Sequence, residues 1–238
     1  MYAFNDKELG KVVVTPHKRA KRVIARRKND HLQLTVPHSF GMKQVVSALE
    51  EMRPRLLLLK PSPGKIFGEG DVIPTFTFNA QIVRNAYVEK PALSLKQGEL
   101  HIYMPQKSDI MLPENQQLIK KATINVLRIE AKRILPLKTA FFARQHDLTY
   151  HDIKINSSKG RWGSCSGRKD INFSLFLMML PEKLIDYVVL HELAHTEEMN
   201  HSKRFWSLLD RFCNGKAHEL SREVKKYKPE WYDFLVQD

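Results

Sequence analysis

The sequence predicts an α+β protein, with a strand-rich N-terminal half and a mostly helical C-terminal half. Short runs of β-branched and aromatic residues, bounded by Pro, Gly, Asn and Asp, recur through the first hundred residues. From residue 113 the apolar positions recur instead at intervals of three and four, the helical period. The chain has 238 residues and is 42% hydrophobic, enough to bury a core and too much for a disordered chain. The period switches near residues 105–113. The expected boundary is therefore near 110, between a β-rich region 1–110 and a second domain 111–238.

In the first half, residues 12–15, 21–27 and 32–36 are strand candidates separated by turn residues. Residues 40–59 carry a helical pattern that Pro54 is expected to break or kink. Lys60-Pro61-Ser62-Pro63-Gly64 is a loop by composition. Residues 75–84, TFTFNAQIVR, alternate as one strand. Shorter strands are expected at 87–89, 92–95 and 99–103, the last two joined by a hairpin at Gln97-Gly98.

In the second half, Leu118, Ile119, Ala122, Val126, Ile129 and Ile134 mark a helix over 113–134. Pro113 suits its first turn and Glu114 the positive end of its dipole. Pro136 is expected to end or kink it, with 137–146 as a continuation. Residues 151–155 and 171–176 read as strands around a Ser-, Gly- and Lys-rich loop, 157–170. A helix over 181–199 opens with Pro181 and Glu182, and further helices are expected over 202–212 and 217–226. No internal repeat and no low-complexity tract is visible.

The formal net charge is +13, from 39 Lys+Arg against 26 Asp+Glu. Lys11, Lys18, Arg19, Lys21, Arg22, Arg26, Arg27 and Lys28 follow one another with no acid between them. On strand surfaces they form either a solvated face that aids solubility or a footprint for nucleic acid or another polyanion. No helix-turn-helix, zinc-finger or RNA-recognition signature accompanies them. No run approaches 18 apolar residues, so no membrane association is expected. Asp6 and Glu8 lie where a secretion signal needs an apolar stretch, and two cysteines exclude a small disulfide-framed domain. A reducing, cytoplasmic setting is expected.

One constellation carries chemistry: His191-Glu192-Leu193-Ala194-His195, inside the expected helix 181–199. Residues four apart on a helix differ by about 40° in rotation and one turn in rise, so both imidazoles leave one face. Two neutral imidazoles so placed can hold one Zn²⁺. Glu192, beside the first histidine, is free to accept a proton from a water that the metal activates. A catalytic zinc takes a third protein ligand. Glu198 keeps the same face if the helix continues. His201 reaches the metal only if the helix stops, and Asn200 followed by the N-cap candidate Ser202 favours that stop.

The run Arg161-Trp162-Gly163-Ser164-Cys165-Ser166, then Ile171-Asn172, Asp186-Tyr187-Val188-Val189-Leu190 leading into the histidine motif, Asn200-His201-Ser202 and Phe205-Trp206 closely resembles the YgjP-like metal-dependent hydrolases. These are zincin-type metallopeptidases similar to the SprT and Wss group. The resemblance is dense over 145–215; earlier, Arg19-Ala20-Lys21-Arg22 is similar to the family's basic strand. It implies one zinc per chain at His191, His195 and His201, with Glu192 as catalytic base. It also implies a compact zincin-like metallopeptidase domain after the β-rich half. Residues 172–176 would be the edge strand beside the active-site helix, to which an extended peptide can add. The expected substrate is a protein or peptide. Relatives act on DNA-associated proteins, which links the basic segment to nucleic acid as a second partner.

The other residues read more plainly. Cys165 is a fourth ligand, a redox-sensitive thiol near the site or, as favoured, a small buried or loop cysteine, and Cys213 is core. Trp162 and Trp206 are structural, and His218 is not a ligand. Lys159 and Arg161 either steer an acidic substrate or are simply solvated, and the second is favoured. Glu197 and Glu198 are candidates to orient a ligand histidine. The competing functions are a polyanion-binding protein with a closed, structural zinc site, and hydrolysis of a non-peptide amide. Nickel or another divalent ion also suits imidazole ligands.

Overall fold

The computed structural model describes residues 1–27, 31–58 and 65–236. The expected loop at 60–64, together with Lys28 and Leu59, lies outside the described residues. Contacts divide the chain into two compact units, Met1–Lys65 and Ile66–Asp238, each with its own apolar core.

In the first unit, β1 (Tyr2–Asp6), β2 (Gly10–His17), β3 (Ile24–Arg27) and β4 (Leu32–Pro37) form a sheet of order β1-β2-β4-β3. β2 and β4 are parallel, with Val14 opposite Leu34; the other pairs are antiparallel. The sequence reading did not anticipate β1, whose YAFND has no β-branched run and is held by pairing with β2. The alternation of β4 buries Leu32, Leu34 and Val36, which share a core with Val45, Leu49 and Leu56 of α1 (Met42–Leu58). Pro54 lies inside α1 and does not end it. Arg53 of α1 holds Asp6 at 2.7 Å, Glu8 at 2.8 Å and Glu50 at 2.6 Å.

The second unit opens with β5 (Val72–Pro74), β6 (Asn79–Asn85), β7 (Ala92–Lys96) and β8 (Glu99–Pro105), in the order β5-β6-β8-β7. Its pairing senses match those of the first sheet: β6 and β8 parallel, the outer pairs antiparallel. A helix follows it too, α2 (Pro113–Gln145). The chain thus repeats a four-strand-plus-helix unit that was not visible as sequence similarity. What recurs is a pattern: LQLTVP in β4 and LHIYMP in β8 alternate apolar and other residues and end in Pro.

The boundary near 110 is corrected by this packing. Ile73, Ala80, Ile82, Leu100, Ile102 and Met104 of the second sheet share one core with Ile119, Leu127 and Leu135 of α2. The expected strand 75–84 is interrupted, because Thr75 N–H and Oγ1 both donate to the Phe78 carbonyl, at 2.9 and 2.6 Å. No strand forms at 87–89, where Tyr87 N–H donates to Asn85 Oδ1 at 2.8 Å in a turn. The hairpin at Gln97-Gly98 forms as expected, with φ of 49° and 81°. α2 does not end at Pro136 but runs 33 residues through it. An interior proline costs about 3 kcal/mol, and buried Leu135, Thr139 and Ala143 on both sides of it favour continuation.

A third sheet contains β9 (Asp152–Asn156), β10 (Gly163–Cys165) and β11 (Asp170–Ser174), ordered β10-β11-β9. β10 lies within the expected loop 157–170. β11 is the central strand, so 172–176 is not an edge; the edges are β9 and β10, and β10 is the one that meets α3. A 3-10 turn, Leu175–Met179, leads to α3 (Glu182–Ala194), α4 (Lys203–Phe212), α5 (Ala217–Lys226) and α6 (Tyr232–Val236), the last not anticipated. Among the described residues no helix is long and apolar enough to cross a membrane.

Candidate metal centre

α3 is buried along Leu184, Ile185, Val188, Val189 and Leu193, so its position is set by the core. It ends at Ala194, with His195 as its C-cap, rather than continuing to 199. The N–H groups of Thr196, Glu197 and Glu198 fold back onto the Leu193 and Ala194 carbonyls at 2.9, 3.2 and 3.0 Å. The chain turns here, and Ser202 starts α4, its Oγ accepting Phe205 N–H at 3.4 Å. This turn brings His201 back beside the helix it has left.

One ring nitrogen from each of His191, His195 and His201 lies within 4.8 Å of the others. Glu198 contributes its backbone instead: its carbonyl accepts from His195 Nδ1 at 3.0 Å. A carbonyl only accepts, so Nδ1 carries the proton and His195 Nε2 is left with a bare lone pair. His191 Nε2 and His201 Nε2 face each other at 3.1 Å. Tyr187 Oη lies 3.5 Å from His191 Nδ1, on the other side of that ring. Phe205, fully buried, stacks on His195 at 4.5 Å and meets His191 and His201 edge-on at 5.0 and 4.7 Å.

Burial holds the His191 imidazole down to about 3, helped by His195, His201 and Lys225, so it is neutral and ligand-competent at pH 7. Burial likewise lowers His195. Glu192 is 5% exposed, and burial pushes its carboxyl up to about 8, opposed by the charge of Arg161. Its Oε2 is buried with no hydrogen-bond partner among the described residues. A buried carboxylate oxygen without a donor needs a function. Three clustered imidazole nitrogens, two of them from residues flanking Glu192 on the same helix, are the donor set a zinc-type cation takes, so the residues fit such an ion.

Gly163 of β10 lets this carboxylate lie flat against the edge strand. A Cβ at Gly163 would sit 2.6 Å from Glu192 Oε1 and 2.7 Å from its Cγ. Cys165, further along β10, donates to the Ser166 carbonyl at 3.5 Å and is pushed up to about 11, by burial first and then by Glu192 and Asp170. It is outside the histidine cluster, and Cys213 is buried in the core. Trp206 stacks on His218 at 4.2 Å, which accounts for that histidine. Glu197 pairs with Lys169 at 3.0 Å. Sequence reasoning missed Gly163, Tyr187 and Phe205 as parts of the centre. Only Tyr187 had a spacing signal, four residues before His191 on the same helix.

Fold and centre together define a metallopeptidase-like domain of the metal-dependent hydrolase class. The family model for the YgjP-like metallopeptidase domain matches residues 84–227, and the chain belongs to this family. No curated protein matches the chain. Among solved structures, the metallopeptidase zymogen of Pyrococcus abyssi abylysin matches at 21% identity and TM-score 0.35, over 39% of this chain and 95% of that one.

Proposed function

We propose that the chain is a zinc-dependent peptidase in which His191, His195 and His201 hold one Zn²⁺ and Glu192 is the general base. The observation that carries this reading is the convergence of three imidazole nitrogens, with a buried carboxylate oxygen on the same helix that has no hydrogen-bond partner among the described residues. Bound zinc supplies Lewis acidity that makes a water nucleophilic near neutral pH and polarises the scissile carbonyl. Glu192 takes the proton from that water and delivers it to the leaving amine. Burial raises the proton affinity of this carboxylate above that of a surface glutamate, which suits it to that exchange. The Glu198 carbonyl fixes the His195 tautomer, and buried Phe205 stacks on the same ring.

Elemental analysis of protein purified without chelator tests this reading. Wild type and Glu192→Gln should hold near-stoichiometric zinc, His201→Ala much less, and Glu192→Gln should not hydrolyse peptide. Zinc retained by His201→Ala would move the third ligand elsewhere. Full activity in Glu192→Gln would remove it from the mechanism.

A second, additive reading rests on the first unit, where Lys18, Arg19, Lys21, Arg22 and Arg26 are exposed along β3 and the segment before it. These cations suit recruitment to nucleic acid. Binding to duplex DNA should weaken steeply with salt and fall when Lys18, Arg19, Lys21 and Arg22 are neutralised. Binding that ignores salt would discard the idea.

A further inference from the structure

A cleft of about 550 Å³ opens at the segment leading into β10, and the sequence did not reveal it. It is built from two distant stretches of chain. Lys159, Arg161 and Trp162 line it from the segment leading into β10, and Lys225 and Lys226 from the end of α5. Tyr232 of α6 joins the two sides: its Oη donates to the Lys159 carbonyl at 2.7 Å and its ring meets Trp162 edge-on at 5.5 Å. With Lys228, five cations line the cleft against a single carboxylate, Asp233, which Lys228 holds at 2.6 Å.

The cleft shares no lining residue with the centre but adjoins it along the chain. Arg161 and Trp162 directly precede Gly163, the residue pressed against Glu192. Among the described residues β10 pairs with β11 alone, and its other edge carries no strand. Lys225 and Lys226 also complement the negative end of the α5 dipole. That role does not apply to Arg161, which lines the same space from the segment before β10.

We propose that this cleft is a specificity subsite, taking an acidic side chain of a peptide laid along β10 on one side of the scissile bond. The proposal rests on the peptidase reading and adds the substrate class to it. A peptide is favoured over a nucleic acid because an open strand edge offers main-chain hydrogen bonds to an extended peptide and has no complement in a nucleotide. The aromatic walls supply apolar contact for the stem of the bound side chain, and the lysines and arginine supply its charge partner.

The test separates binding from hydrolysis. Fluorescein-labelled hexapeptides containing two glutamates, two glutamines or two lysines are titrated by fluorescence anisotropy into full-length Glu192→Gln protein. In parallel, wild-type protein is incubated with a proteome-derived peptide library and the new termini are sequenced. The glutamate peptide should bind about tenfold more tightly than the glutamine peptide, with an advantage that shrinks as salt rises. Adding Arg161→Ala and Lys225→Ala, both exposed positions, should abolish that advantage at an unchanged melting temperature. Library products should show an acidic residue at one fixed subsite, and the double variant should lose that enrichment. Equal binding of the glutamate and glutamine peptides overturns the proposal. So does a preference that survives in the double variant, or a single-stranded oligonucleotide that displaces the acidic peptide through these residues. Acidic preference without cleavage supports the subsite and counts against the peptidase reading; cleavage without acidic preference does the reverse.

Discussion

Replacing Gly163 with alanine puts a methyl group where Glu192 now lies. The new Cβ would stand 2.6 Å from Oε1, 2.7 Å from Cγ and 2.9 Å from Cδ of that side chain. Ordinary contact begins at 3.4 Å, so the oxygen must retreat by about 0.8 Å and the Cγ by nearly as much. Because Cγ is affected as well as the carboxylate tip, turning the carboxylate in place does not relieve the clash. Glu192 is 5% exposed, so its retreat is into packed surroundings. Displacing a reacting group by about 1 Å can cost about 10²-fold in rate. Overpacking costs about 1–3 kcal/mol, a shift of a few degrees in Tm for a unit of this size. The three atoms nearest the new methyl all belong to Glu192, so zinc should stay near wild-type content. The assay is kcat/KM on a library-derived peptide, measured beside zinc content and a thermal melt. Activity within twofold of wild type would refute the claim that this close approach positions the base. Loss of zinc together with activity would show that the whole helix had moved instead.

Tyr187→Phe removes the hydroxyl beside His191 Nδ1 and should lower zinc affinity about 10-fold, read by competition with a chromophoric chelator. An unchanged affinity would make Tyr187 a packing residue only. Ser202→Ala removes the α4 cap, which costs about 1 kcal/mol and loosens the turn carrying His201. Zinc dissociation should speed up, and an unaltered off-rate would detach the cap from the centre. In the first unit, Arg53 holds the Asp6 carboxyl far below the usual carboxylate range, with the Leu9 and Glu8 N–H groups adding to the effect. A depressed carboxyl stabilises fully above its unfolded value of about 3.9, and that stability is lost as pH falls from there through the folded value. Asp6→Asn should therefore destabilise by about 1–3 kcal/mol at pH 7, with the gap to wild type narrowing below pH 4 in urea titrations. A gap that is constant with pH would refute the charge-based account.

The convergence of His191 and His195 was legible because a helix converts a four-residue interval into one face, a purely local rule. His201 was legible because Ser202 carries a cap signal that structure and sequence read alike. The proline positions misled for the opposite reason. Pro54 and Pro136 weaken a helix locally, yet Leu56 on one helix and Leu135 and Thr139 on the other are buried, and that burial is absent from local propensity. The strand 75–84 failed at a turn built by one threonine side chain. The four-strand-plus-helix repeat escaped notice because alternation with a closing proline is conserved in pattern while the side chains differ.

The sequence by itself determined the chemistry: which residues can bind a metal, which carboxylate stands next to them, and where the helices around them begin. Each of these depends on spacings of a few residues, which the chain carries directly. Only the tertiary structure decided that β10 is an edge strand and that the second sheet belongs with the helical part. It also decided that Gly163 presses on Glu192, and that Lys159 and Arg161 meet Lys225 and Lys226 across one cleft. These are contacts between residues tens of positions apart, set by how the sheet and helices bury their apolar faces together, and no local pattern encodes them.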